Sequence, residues 1–114
     1  MSRVRLVRDA PLAHLRWGDG ERVVVLLHGV GGGREAWGDS ISGTGSALAE
    51  AGFTAIAADL PGYGDSASIE PYDMAGLAGA VTALIDSLHA RRCALVGHSM
   101  GGMVAQELMA RAPD

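Results

Sequence analysis

The sequence predicts an α/β fold: a mostly parallel sheet with helices on both faces and an antiparallel strand pair at one edge. Three observations carry this reading. From residue 23 onward, strand-like and helix-like segments alternate. The strands of that region are apolar at nearly every position, as suits strands covered on both sides. The glycines are not spread evenly but gather within 29–33, at Gly62 and Gly64, and within 97–102, each time just after a strand.

The elements follow in order. Residues 3–7 and 13–17 show partial alternation, with Asp9-Ala10-Pro11 between them and Gly18-Asp19-Gly20 after them, and read as an antiparallel edge pair. Residues 23–27 (VVVLL), 54–59 (TAIAAD) and Cys93–Gly97 (CALVG) read as buried strands. Between them, 46–51 reads as a helix whose start is weakened by Gly43 and Gly45. Residues 74–88 place Leu77, Val81, Leu84, Ile85 and Leu88 on one stripe, with Asp73 as N-cap. A last helix covers Met100–Arg111 and stops ahead of Pro113. This order implies parallel strands joined by right-handed crossovers. Ligands of such open sheets bind beyond the carboxyl ends of the strands, where all three glycine clusters fall.

Composition narrows the function classes. A chain of 114 residues holds one domain, and 48% hydrophobic against 19% charged residues makes it globular. The net charge is −4 and the nine cations, all Arg, are scattered, so neither nucleic acid nor an acidic membrane is expected as a partner. The single cysteine, Cys93, allows no disulfide framework and no metal-ligand set; inside an apolar run it reads as an inert thiol. No apolar segment follows the first charges as in a signal peptide, and none is long enough to span a membrane. A cytoplasmic protein without metal or organic cofactor is expected. Its oligomeric state is left open.

Gly97-His98-Ser99-Met100-Gly101 matches G-x-S-x-G. Alone the pattern is weak, since roughly 0.2 matches arise by chance in such a chain. Its context is specific. It directly follows the strand CALV and precedes an amphipathic helix, the strand–turn–helix that a nucleophile elbow requires. A sharp turn holds the central Ser99 in a strained conformation, and side chains at Gly97 or Gly101 would strike neighbouring backbone. The helix N-terminus behind Ser99 favours negative charge. The plainer reading is a helix-capping serine in a glycine-rich turn.

Acyl transfer needs two N–H donors aimed at the developing oxyanion. The residue after the nucleophile, Met100, supplies one, and a loop after an earlier strand supplies the other. That loop is His28-Gly29-Val30-Gly31-Gly32-Gly33, directly after the first buried strand. His28 reads as a hydrogen-bonding residue that shapes the loop. A third signal, Asp59-Leu60-Pro61-Gly62-Tyr63-Gly64-Asp65-Ser66, is a tight turn after the next strand.

Together H-G-x-G-G, D-x-P-G-x-G-x-S and G-H-S-M-G-G resemble the α/β-hydrolase superfamily over nearly the whole chain. The likeness is greatest to its small-molecule esterase, lactonase and carbon–carbon-bond hydrolase branch. The resemblance implies that Ser99 is the nucleophile and that Val30 and Met100 donate the oxyanion N–H groups. It implies supporting roles for His28, Gly29, Gly97, Gly101 and Asp59. The substrate would be a small acyl compound; ester, lactone and carbon–carbon cleavage all stay open.

The sequence departs from the family pattern in one respect. The triad order in this fold is Ser, then an acid, then His, but only Glu107 and Asp114 follow Ser99 as acids and no histidine follows it. His14, His28, His89 and His98 are all poorly placed as the base. The expectation is therefore residues 1–114 as the N-terminal part of a single α/β-hydrolase domain, inactive alone. A non-catalytic remnant or one half of a two-chain hydrolase is the alternative. A remoter one is a dinucleotide-binding domain, because Gly31-Gly32-Gly33-Arg34-Glu35-Ala36 fits G-x-G-x-x-[GA] and Asp59 could bind a ribose. Against it, His28-Gly29-Val30 intervenes after the strand, and residues 37–45 make a poor helix start.

Overall fold

The computed structural model describes residues 4–29, 44–89 and 93–111. Five strands, β1 (Val4–Val7), β2 (His14–Trp17), β3 (Arg22–Leu27), β4 (Phe53–Ala58) and β5 (Cys93–Gly97), form one sheet in the order β1-β2-β4-β3-β5. The first pair is antiparallel, β2 joins β4 antiparallel, and β3 lies parallel to both β4 and β5. Helices α1 (Thr44–Glu50), α2 (Met74–Ser87) and α3 (Met100–Arg111) complete the described chain.

The two-residue period of a strand divides the core. On β3, Val25 and Leu27 join Ile56 and Ala58 of β4 in a cluster with Leu77, Val81, Leu84, Val104 and Leu108 of α2 and α3. Their neighbours Val24 and Leu26 turn the other way, onto Trp17, Ala55 and Ala57, with Leu48 and Ala49 of α1 packed behind them. Burial on both faces explains the unbroken apolar runs. Thr54, the polar residue in the β4 run, is fully buried and donates its hydroxyl to the Gly20 carbonyl at 2.6 Å.

Helix boundaries follow local chemistry. Asp73 caps α2 in extended conformation, its carboxylate accepting the Gly76 N–H at 2.8 Å. Helix α1 begins two residues earlier than expected and includes Gly45. A Cβ there would overlap the Trp17 ring, so the missing side chain is what lets α1 pack against the indole. Propensity disfavours glycine in a helix, and packing overrides it. Strand β4 stops at Ala58 rather than Asp59. Asp59 still donates its N–H to the Ala13 carbonyl at 2.8 Å, but its own carbonyl already belongs to the following turn.

β5 stands at the sheet edge, with no strand on its outer side among the described residues. Val96 of β5 is 41% exposed, and Met103 and Met109 are exposed on α3. No helix among the described residues is long and apolar enough to cross a membrane.

Candidate active site

The parallel strands β3, β4 and β5 deliver three turns to one end of the sheet. The turn after β5 is the tightest. Ser99 sits between the end of β5 and the first residue of α3 with φ 56, a left-handed conformation that costs a non-glycine residue about 1–2 kcal/mol. Its neighbours fix it there: His98 donates its N–H to the Leu27 carbonyl at 3.0 Å, and the Ser99 carbonyl accepts from Met103 at 3.1 Å. Ser99 is exposed.

Glycines make the bend sterically possible. A Cβ at Gly97 would lie 2.5 Å from the Gly102 nitrogen, and one at Gly101 would lie 2.5 Å from the Leu27 carbonyl carbon and 2.7 Å from the His28 oxygen. Real Cβ atoms do not approach backbone so closely, so the first turn of α3 rests directly on the end of β3. Gly29 faces the bend from the other loop, where a Cβ would come within 3.1 Å of the Ser99 Cβ and 3.1 Å of His98 Nδ1. The described structure thus brings Gly29 and Ser99 side by side. Val30, and the 31–36 segment of the dinucleotide alternative, lie outside the described residues.

Met100 opens α3 and is buried. Its N–H belongs to the first turn of the helix, whose amides have no intrahelical acceptor. It lies at the positive end of the macrodipole, next to the Ser99 hydroxyl in sequence.

His28 is fully buried. Its Nε2 accepts the Leu60 N–H at 3.0 Å, which leaves the proton on Nδ1 to be donated to the Gly29 carbonyl at 2.8 Å. The ring of Tyr63 meets it edge-on, 4.7 Å between centroids. Both ring nitrogens are engaged in holding the loop after β3 against the turn after β4.

That turn is internally satisfied. The Ser66 hydroxyl donates to the Asp59 carbonyl at 2.6 Å and accepts the Ala13 N–H at 3.0 Å. The Asp59 carboxylate is buried and accepts the Asp65 N–H at 3.3 Å, with Gly64 pressed against it at φ 53. Fully buried, this carboxylate lacks the exposure that a ribose ligand needs.

Of the other ionisable candidates, His14 and Glu107 are already engaged. His14 lies on β2, buried, with Nδ1 on the Leu12 carbonyl at 2.9 Å. His89 follows α2, and His98 is exposed beside Ser99. Glu107 pairs with Arg111 at 2.7 Å, and Asp114 lies outside the described residues. Burial pushes the Cys93 thiol up, away from the reactive thiolate. No group of three or more His, Cys, Asp or Glu among the described residues could hold a metal ion.

Sequence reasoning passed over the partners of His28. Leu60 and Tyr63 lie more than thirty residues away, and an unremarkable leucine amide carries no signal in a sequence.

Comparison with known proteins agrees with this geometry. Residues 24–113 match the Alpha/beta hydrolase family. The chain is 37% identical over 102 residues to the dihydrolipoyllysine-residue acetyltransferase component of the acetoin cleaving system of Cupriavidus necator, covering 89% of this chain and 26% of that protein. It is 35% identical over 96 residues to the pimeloyl-[acyl-carrier protein] methyl ester esterase of Neisseria meningitidis, covering 84% and 34%. Among solved structures, the epoxide hydrolase of an endophytic Streptomyces superposes with a TM-score of 0.82 at 31% identity, covering 99% of this chain and 34% of that one. The chain therefore spans about a third or less of the length of these proteins.

Proposed function

Because the chain belongs to the alpha/beta hydrolase family, we propose that it supplies the nucleophile half of a serine hydrolase acting on a small ester or lactone. The observation that carries the reading is the conformation of Ser99: an exposed serine held at φ 56 between a strand and a helix N-terminus. A helix cap has no need of that strain, whereas a nucleophile that must stand clear of its own backbone does.

In the proposed reaction the Ser99 oxygen attacks the substrate carbonyl carbon and its proton passes to a general base. The carbonyl electrons move onto oxygen, where the N–H groups of Met100 and Val30 receive the charge. As the oxyanion collapses, the carbon–oxygen bond to the leaving alcohol breaks and the alcohol takes the proton from the base. Water then hydrolyses the acyl-serine by the same sequence, releasing the acid and restoring Ser99. The base and its orienting acid would come from outside residues 1–114, as the greater length of the relatives allows. Within the chain, the commitment of both His28 nitrogens supports a positioning role for that histidine and not a proton-transfer one.

The test is labelling with a fluorophosphonate followed by peptide mass spectrometry, on the protein in its full natural length. The adduct is expected on Ser99, with label and esterase activity both lost in Ser99→Ala. Adduct on another serine, or activity undiminished in Ser99→Ala, overturns the proposal.

A further inference from the structure

A second concave site lies away from Ser99, on the α2 side of the sheet. Its floor is the β1–β2 pair. Register places Arg5 directly opposite Arg16 and Val7 opposite His14, while Leu15 turns to the other face. The four inward residues, with Asp9, Pro11 and the end of α2 at Ser87 and Leu88, line a cleft of about 350 Å³.

The charges here are unbalanced. Two arginines facing each other across a strand pair repel. Neither forms an ion pair among the described residues, and the Nε–H of Arg16 is buried with no hydrogen-bond acceptor. A buried donor left without a partner is costly. The remaining polar groups do not supply it. The Ser87 hydroxyl is given to the Leu84 carbonyl at 2.6 Å, the His14 Nδ1 to Leu12, and Asp9 lies exposed on the rim without an ion pair.

We propose that this cleft binds a small oxyanion, a phosphate or carboxylate group, held by the guanidinium groups of Arg16 and Arg5. Planar guanidinium forks match both oxyanions, and Arg16, half-buried in the cleft wall, can meet one only through its terminal nitrogens, since its Nε–H is enclosed. His14 reports the same charges: its protonation is disfavoured first by burial and then by Arg16 and Arg5, opposed by the Leu12 carbonyl and Asp59. The local field is thus one that an anion would relieve.

The experiment is a calorimetric titration of the full-length protein with sodium phosphate and, separately, sodium acetate, with chloride holding ionic strength constant. Saturable binding is expected, and the tighter anion identifies the ligand chemistry. Arg16→Met should weaken it roughly tenfold or more, as loss of a charge-assisted contact does. Arg5→Gln, at an exposed position that leaves the core alone, should weaken it too, while Arg111→Gln, an equal loss of charge on α3, should not. The imidazole titration of His14, followed by NMR, should move to higher pH when the anion is bound. Absence of saturable binding by both anions, or undiminished binding in either Arg16→Met or Arg5→Gln, overturns the proposal.

Discussion

Leu60 donates its backbone N–H to Nε2 of His28 at 3.0 Å, tying the loop that leaves β3 to the turn that leaves β4. The bond is fully buried and the opposite nitrogen of the same ring holds the Gly29 carbonyl, the residue that abuts Ser99. His28→Ala strands both backbone groups and opens a void, so unfolding free energy should fall by about 2–4 kcal/mol. Denaturant titration of the full-length protein measures it. A loss below about 1 kcal/mol would mean that the two loops hold their places without the imidazole.

The glycines of the elbow separate into two kinds. Gly101→Ala drives a Cβ into the Leu27 and His28 backbone and should cost about 3 kcal/mol or more, taking Ser99 labelling with it. At Gly102 a Cβ would be no nearer than 3.4 Å to the Gly97 oxygen, and at Gly79 of α2 it would meet nothing within 4 Å. Gly79→Ala should stabilise by about 0.5–1 kcal/mol through helix propensity alone. Thermal melts of Gly79→Ala, Gly102→Ala and Gly101→Ala should rank Gly79→Ala first and Gly101→Ala last.

Ser66 is the keystone of the Asp59 turn, because one hydroxyl both donates to Asp59 and accepts from Ala13. Ser66→Ala should destabilise by about 2 kcal/mol, since the Ala13 N–H and the Asp59 carbonyl both lose a partner. Amide exchange at Ala13 should accelerate in the variant. Exchange at the parent rate would show that another acceptor takes over.

Stability should also depend on pH through His14. Burial, with the Arg16 and Arg5 charges adding to it, lowers its pKa below the ordinary 6.5. The unfolded chain therefore binds this proton more readily than the folded one. Stability is fully retained above pH 6.5 and falls as pH drops below that value towards the folded pKa. His14→Gln should flatten that part of the profile, measured as unfolding free energy between pH 7 and mildly acid conditions. An unchanged slope would assign the pH dependence elsewhere.

Much of this was legible in the sequence because each signal had a local cause. The Asp73 cap, the α2 stripe and the limits of β5 and α3 depend on neighbours within a turn or a strand, and the G-x-S-x-G bend depends on five consecutive residues. What escaped depends on partners remote in sequence. The early start of α1 needs Trp17 under Gly45, and the cleft beside Arg16 needs the end of α2 as its other wall. The structural part assigned to His28 was readable as a loop-shaping hydrogen bond, but its acceptor role toward Leu60 was not. The proposed donor at Val30 rests on sequence, whereas the proximity of Gly29 to Ser99 rests on geometry.

The strand that ends in the serine bend is also the one whose outer N–H and C=O groups have no neighbouring strand among the described residues. Support at the bend is therefore one-sided: among the described residues it comes from β3 on one flank alone. Ser99, the proposed nucleophile, thus hangs from a ribbon of five residues that is paired on one side only among the described residues.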